Sequence, residues 1–325
     1  MSVAIELYHG ETLAADVAPH ASHCEFEYGP HGCGPCRIAL DEKWRQDRLA
    51  RAGQRVLIKR DGSTVWRGWL RRMEKHMDAA MAVLIGEGDA ERASRAAIAA
   101  GEDASLSSVS PESALQTLWT NILSPLGLGD SFSADASGQT LDAFAWSEGD
   151  NIGALCDQLA WAAGGMLWGV DPDGLFFLRD PAAFSSEPLA TIDLGGGLRK
   201  TALITTDDPV NQLTLEIAGG DLHYADSASQ ADYPRSSVEL EALNVTSVNV
   251  ADLIAAGYFA RRALPEDAWT LRTTAPDTLP RPWTGRIAVR DPQREAQGQL
   301  TPVETRLRTT LFTGGHSAPV LELLQ

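Results

Sequence analysis

Sulfur is scarce in this sequence, and positive charge is outnumbered. The 325 residues include four cysteines, and 44 Asp and Glu stand against 27 Lys and Arg, a formal net charge of -17. Four cysteines, three of them bunched, do not make a disulfide framework in so long a chain, and a reducing compartment is expected. The acid excess argues against a surface that grips nucleic acid, because phosphate contacts need clustered Lys and Arg. No uninterrupted apolar run reaches the roughly 18 residues of a spanning helix, so no membrane span is expected. The opening MSVAIELYHGETLAAD has no basic segment and does not read as a signal peptide. Catalytic signatures are missing too. There is no G-x-S-x-G, no G-x-x-x-x-G-K-[ST] and no H-E-x-x-H. Gly195-Gly196-Gly197 leads into no apolar helix, which excludes a phosphate cradle. Asp207-Asp208 and Glu239/Glu241 read as solvated acid pairs, and His9, His76, His223 and His316 have no neighbouring partner. A non-enzymatic chain of two or three domains is expected.

What sulfur there is lies together. HASHCEFEYGPHGCGPC (20–36) holds three of the four cysteines and three of the seven histidines. Cys33-Gly34-Pro35-Cys36 is a C-x-x-C knuckle whose glycine and proline favour a tight turn, and Cys24 adds a third thiol. Thiolates suit zinc and iron–sulfur clusters, which take four soft donors. His20, His23 or His31 would complete a Cys₃His zinc site. Cys156 would complete a Cys₄ iron–sulfur site if its helix packs against the loop, and a residue from another subunit is a further choice. Such a site would pin an irregular loop too poor in apolar residues to order itself. The alternatives are unligated thiols or a redox pair, the latter without the βαβ context it needs. Cys156 by itself reads as a small core residue.

Around the cluster the pattern is mainly β. RVLIKRDGSTVWRGWL (55–70) is a hairpin turning at Asp61-Gly62, and a third strand is expected over 79–88. The basic run from Lys43 to Lys75 reads as a solvated or intersubunit face. Residues 89–109 read as a short helix or linker. Ser110-Pro111-Glu112 starts a helix, with Leu115, Leu118, Trp119, Ile122 and Leu123 on one face. A second helix begins at Asp150-Asn151 and stops at Gly164-Gly165, and a hairpin then turns at Asp171-Pro172-Asp173-Gly174. NQLTLEI (211–217) alternates as a strand. A helix is expected over 249–264, and strands over 269–274, 285–290, 302–312 and 319–324.

The order of these segments resembles the baseplate hub or tail-tip hub proteins of tailed bacteriophages and related gene-transfer-agent tails. WSEGDNIGALCDQLAWAAGGMLWGVDPDGLFFLRDPAAF (146–184) carries the helix ending and the "vDpdG" hairpin. RVLIKRDGSTVWRGWL, NQLTLEI, AGYFARRALP (256–265) and PWTGRIAVRD (282–291) match further motifs. The resemblance implies an α+β, mainly β fold. Two antiparallel β-barrel-like domains, 1–104 with the Cys/His-rich loop 20–36 and 196–325, would flank a helix-helix-hairpin module at 105–195. It implies a homotrimer forming a pseudo-sixfold ring that joins the tail tube and distal tail protein to a central spike or fibre, with the tape measure protein as a further partner. DNA would pass through the lumen without specific binding. The protein would be assembled in the host cytoplasm and reside in the virion. An iron–sulfur cluster on Cys24, Cys33, Cys36 and Cys156 is favoured by the resemblance over zinc on Cys24, Cys33, Cys36, His23 and His31. A β-rich carbohydrate- or receptor-binding module, or a metal- or iron–sulfur-dependent enzyme centred on the cysteine loop, are the alternatives. For the latter, Glu25 and Glu27 are the adjacent candidate bases.

Overall fold

The computed structural model describes residues 2–41, 50–76, 81–184, 187, 190–193, 202–207, 209–263, 266–273, 284, 287–291, 296–300, 306–311 and 320–324. Lys43, Arg45, Arg48, Gly195 to Gly197, Asp208 and His316 lie outside them.

The N-terminal part is built of hairpins: β1 (Val3–His9) with β2 (Thr12–Asp16), β3 (Ala21–Gly29) with β4 (Gly32–Leu40), and β5 (Arg55–Arg60) with β6 (Ser63–His76), followed by β7 (Met81–Glu87). The Asp61-Gly62 turn forms as its sequence demands, with both residues at positive φ (47° and 85°) to match the twist of the flanking strands. Ile5, Leu7, Val56, Ile58, Trp66, Leu70 and Leu84 alternate onto one face and are buried together. Each such side chain contributes about 1.5–3 kcal/mol when fully removed from water.

Residues 20–36 are not an irregular loop. They are the central hairpin of the sheet, and Cys24, Phe26, Cys33, Cys36 and Ile38 supply its buried face. Alternation with a few well-spaced apolar side chains accounts for the strand structure of the segment.

The chain then crosses through α1 (Asp89–Ala93), β8 (Ala104–Val109), α2 (Pro111–Leu118), β9 (Ser131–Ala134), β10 (Leu141–Trp146), α3 (Ile152–Ala162), β11 (Leu167–Val170) and β12 (Leu175–Arg179). The Ser110 side chain caps α2 by accepting from Ser113 N, and Asn151 caps α3 by accepting from Ala154 N. Helix α2 runs on as a π turn over Trp119–Leu123, where Ser124 N reaches Trp119 O at 2.8 Å. Gly164 and Gly165, at φ of 95° and 82°, end α3 in the left-handed region.

Beyond this come β13 (Ala190–Asp193), β14 (Ala202–Asp207), β15 (Gln212–Ile217), β16 (Gly220–Ala225), α4 (Ser227–Asp232), β17 (Ser237–Ala242), α5 (Val248–Arg262), β18 (Glu266–Thr273), β19 (Ile287–Asp291), β20 (Ala296–Leu300), β21 (Arg306–Leu311) and β22 (Val320–Leu324).

The fold is mainly β with a few helices, and among the described strands no sheet closes into a barrel. One fourteen-stranded sheet runs β14-β18-β22-β21-β3-β4-β7-β6-β5-β1-β2, with β11, β12 and β9 branching from β4. Strands expected to build two separate barrels are therefore neighbours in one sheet, joined where Leu307 pairs with Tyr28 and Leu311 with Cys24. Smaller sheets are β8/β10, β13-β19-β20 and β16-β15-β17.

The cores divide the molecule differently from the sheets. One apolar cluster fills the N-terminal sheet. The other joins Ala90, Leu115, Leu118, Phe144, Trp146, Leu155, Cys156 and Leu159 to Leu215, Ile217, Val250 and Ile254. Strands β15 and β17 and helix α5, all beyond residue 196, thus supply the apolar surface that α3 needs.

Candidate functional site

The cysteine hairpin owes its geometry to a bulge. Cys36 pairs with Phe26 and Cys33 with Tyr28, so two steps along β3 face three along β4. Residues three apart on a regular strand point to opposite faces; the extra residue turns Cys33 and Cys36 to the same one. Pro35, with no N–H to give to the ladder, sits in that bulge and is exposed. Cys24, Cys33 and Cys36 are 0%, 2% and 3% exposed, and none is in a disulfide. The backbone N–H of Arg67 lies 3.5 Å from Cys33 Sγ. Burial pushes the Cys36 thiol well above its ordinary value, helped by a hydrogen bond with Cys24 and by the nearby Cys24, Glu25 and Cys33 charges.

Cys24 and Cys36 come within hydrogen-bond reach of each other, with Cys33 nearby; the other proposed ligands do not join them. His23 alternates away from Cys24, and its Nε2 lies 3.4 Å from Glu25. His20 faces Asp41 at 3.7 Å. His31, in the turn between β3 and β4, sets Nδ1 2.8 Å from the Trp168 carbonyl. Cys156 belongs to the other apolar cluster, where burial and Asp157 raise its thiol well above the usual range. Among the described residues no group of three or more His, Cys, Asp or Glu is placed to hold a metal ion. Among the described residues this chain's own donor set falls short of a four-ligand zinc or iron–sulfur site. Buried thiols are suited to packing as small apolar groups.

The hairpin tip docks onto the helical module. Val170 N donates to His31 O at 3.1 Å, and Val170 pairs with Gly32 in a single parallel bridge. A Cβ on Gly32 would fall 1.9 Å from the Val170 carbonyl oxygen, so only glycine allows this approach. Trp168 is fixed from the other side by donating from Nε1 to Asp157 at 2.6 Å.

Beside the tip lies an ionic cluster that sequence reading missed. Arg67 is 3% exposed, inside a strand otherwise carrying Trp66 and Trp69. Its guanidinium grips Asp130 with two hydrogen bonds, Nη1 to Oδ2 at 2.6 Å and Nη2 to Oδ1 at 3.2 Å. Its Nε lies 3.1 Å from Oδ2 of Asp89, an ion pair too bent to be a hydrogen bond. Trp69 Nε1 donates to Asp89 Oδ1 at 2.6 Å. Arg92 and Arg55 lie over the Trp69 ring, 3.9 Å and 5.1 Å from its centre, and Arg55 also donates to Gly127 O at 2.6 Å. Burial raises the Asp89 carboxyl above its usual value despite Arg67. For Asp130 burial also acts upward, but Arg67 and Arg55 outweigh it and lower the carboxyl. Arg67 lies in a run, Trp66 to Gly68, that is buried throughout, so its guanidinium needs an internal anion. Nothing in the sequence pointed to Asp89 and Asp130 as the two.

The surface is acidic in a patterned way. On the three-stranded sheet Glu216 pairs with Asp221 on one side and with Glu241 on the other, three carboxylates abreast. Leu13 on the edge strand β2 is 49% exposed, and Leu243 and Val248 are each 56% exposed. No helix among the described residues is long and apolar enough to cross a membrane.

No family model matches the sequence, and no curated protein matches it. Solved structures do match in fold. The chain is similar over its whole length to 97% of a tail protein from Neisseria meningitidis MC58, with TM-score 0.68 and 15% identity. It is similar over its whole length to 97% of a 43 kDa tail protein of prophage MuSo2 from Shewanella oneidensis, with TM-score 0.64 and 11% identity. Over 94% of its length it is similar to 73% of an Escherichia coli type VI secretion component, itself described as similar to the T4 tail proteins gp27 and gp5, with TM-score 0.52 and 9% identity. The fold is that of phage tail proteins, as the sequence resemblance implies.

Proposed function

We propose that this chain is a structural protein of a phage tail or related tail-like particle, the hub subunit of the tail tip or baseplate. The observation that carries this reading is the end-to-end match: all of this chain aligns with nearly all of a tail protein, so the likeness is not one shared module. In this role three copies form a ring between the tail tube and distal tail protein on one side and a central spike or fibre on the other, with the tape measure protein inside the assembly. The lumen passes DNA without binding it. The net charge of -17 supports that passage, since an anionic wall repels phosphates at every register. Edge strands such as β2, with its exposed Leu13, support completion of sheets by neighbouring copies.

Native mass spectrometry and negative-stain electron microscopy of the purified chain, alone and with its distal tail protein, test this. A threefold annulus is expected. A monomer under both conditions, with no ring in purified particles, refutes the reading.

A further inference from the structure

The two largest apolar clusters share no buried residue, and the Arg67–Asp89–Asp130 ion cluster lies where the sheet meets the helical module. The N-terminal sheet brings Arg55, Arg67 and Trp69 to that junction. The helical module brings Asp89, Arg92 and Asp130, with the Asp171–Gly174 turn above. The junction also holds the single Val170–Gly32 bridge, the His31–Trp168 contact, the Arg95–Glu87 ion pair, the close backbone approach of Gly88 to Cys33 and of Gly169 to His31, and a small apolar patch of Leu167 and Phe177 against Tyr28.

The energetics of the two kinds of contact differ. Each cluster gains about 1.5–3 kcal/mol per large apolar side chain buried. A buried ion pair gains little net, because desolvating both ions offsets their attraction, while its geometry permits one docking angle only. The charges are also divided so that separation is tolerable. Asp130 is 57% exposed already, and Arg55 reaches water as well, so opening hydrates these groups without stranding a charge in an apolar core.

We propose that this seam is a separable clasp: it sets the angle between the N-terminal sheet and the helical module, and it opens as a unit before either apolar core unfolds. The proposal stands independently of the role assigned above, since it concerns the single chain. It predicts that the molecule has two cooperative halves, with the boundary running between Arg67 and Asp130 and not along the fourteen-stranded sheet.

Hydrogen exchange of the full-length chain, read by mass spectrometry, tests it. Asp130→Asn removes the half-exposed partner, and Arg67→Met removes the cation. The expected result is exchange at least about tenfold faster in peptides 124–131 and 171–176, with the β3–β4 hairpin and α3 unchanged. Arg179→Gln, which breaks the Arg179–Asp135 pair at 2.8 Å within the module, should leave all four regions unchanged. Equal acceleration of the hairpin, α3 and the seam peptides overturns the proposal, as does no acceleration in Asp130→Asn. Should Arg67→Met not fold, the Asp130→Asn result decides alone.

Discussion

Replacing Cys36 by alanine and by serine distinguishes a packed thiol from a metal ligand. Cys36 is 3% exposed among Phe26, Ile38 and Trp66, and a Cβ on Gly86 would lie 3.4 Å from its own Cβ. Alanine removes one buried sulfur. Its transfer term resembles that of one methylene, about 0.8 kcal/mol. The void it leaves, of roughly 25 Å³, adds about 0.6 kcal/mol at ~24 cal/mol per Å³. The expected loss is therefore about 1–2 kcal/mol. Serine restores little of the lost volume and buries a hydroxyl against weak sulfur partners, with a desolvation penalty of about 1–3 kcal/mol, so it should be the more harmful variant. Denaturant titration followed by tryptophan fluorescence measures both, with Cys24→Ala in a double-mutant cycle to read the coupling of the two thiols. Elemental analysis of anaerobically purified protein is the companion assay, and less than stoichiometric zinc and iron is expected. If alanine and serine are equally and severely damaging, and each removes a stoichiometric metal, the packing argument is refuted.

Other outcomes follow from the same geometry. Glu216→Gln should stabilise the β16-β15-β17 sheet by about 0.2–1 kcal/mol at low salt and less at high salt, by relieving repulsion from Asp221 and Glu241; thermal melts at two ionic strengths check this. Asn151→Ala should lose about 1–2 kcal/mol, because the side chain both caps α3 and donates to Ser94 O at 2.8 Å; circular dichroism melts report it. Acid should weaken the junction through Asp130 and the sheet edge through Glu6, whose carboxyl is held down, against its burial, by Lys59 and Tyr8. Both have lowered values in the fold, so their stabilisation is present above the ordinary carboxylate range and lost as pH falls through the depressed values. Asp89 is raised and acts in the opposite sense, gaining from protonation, so Asp130→Asn should flatten the acid dependence and Asp89→Asn should steepen it in pH-resolved urea titrations.

Much of the helical module could be read from sequence because its signals are local. Ser110-Pro111, Asn151, Gly164-Gly165 and Asp171 to Gly174 each specify a cap or turn with neighbouring atoms alone, and each occurs where expected. The cysteine hairpin was misread for a related reason. A glycine and a proline between two cysteines signal a turn locally, but Glu27 and its neighbours on the facing strand convert the same residues into a bulge. That outcome depends on pairing, which the segment does not encode by itself. Helix α3 finds its covering surface in Leu215, Val250 and Ile254, far along the chain, and no signal near α3 announces them. The Arg67 partners share this non-local character, and so does the join between β21 and β3.

That join has a consequence for biogenesis. Strand β3 at Ala21–Gly29 leaves the ribosome long before β21 at Arg306–Leu311, the strand that hydrogen-bonds its outer side. Until then Cys24 to Tyr28 present a bare backbone ladder flanked by apolar side chains, the kind of edge that recruits other chains. Translation of everything between the two strands must pass with that template uncovered, so yield in cells should be sensitive to temperature, synthesis rate and holdase chaperones. Finished subunits, with the strand in place, should lose that sensitivity.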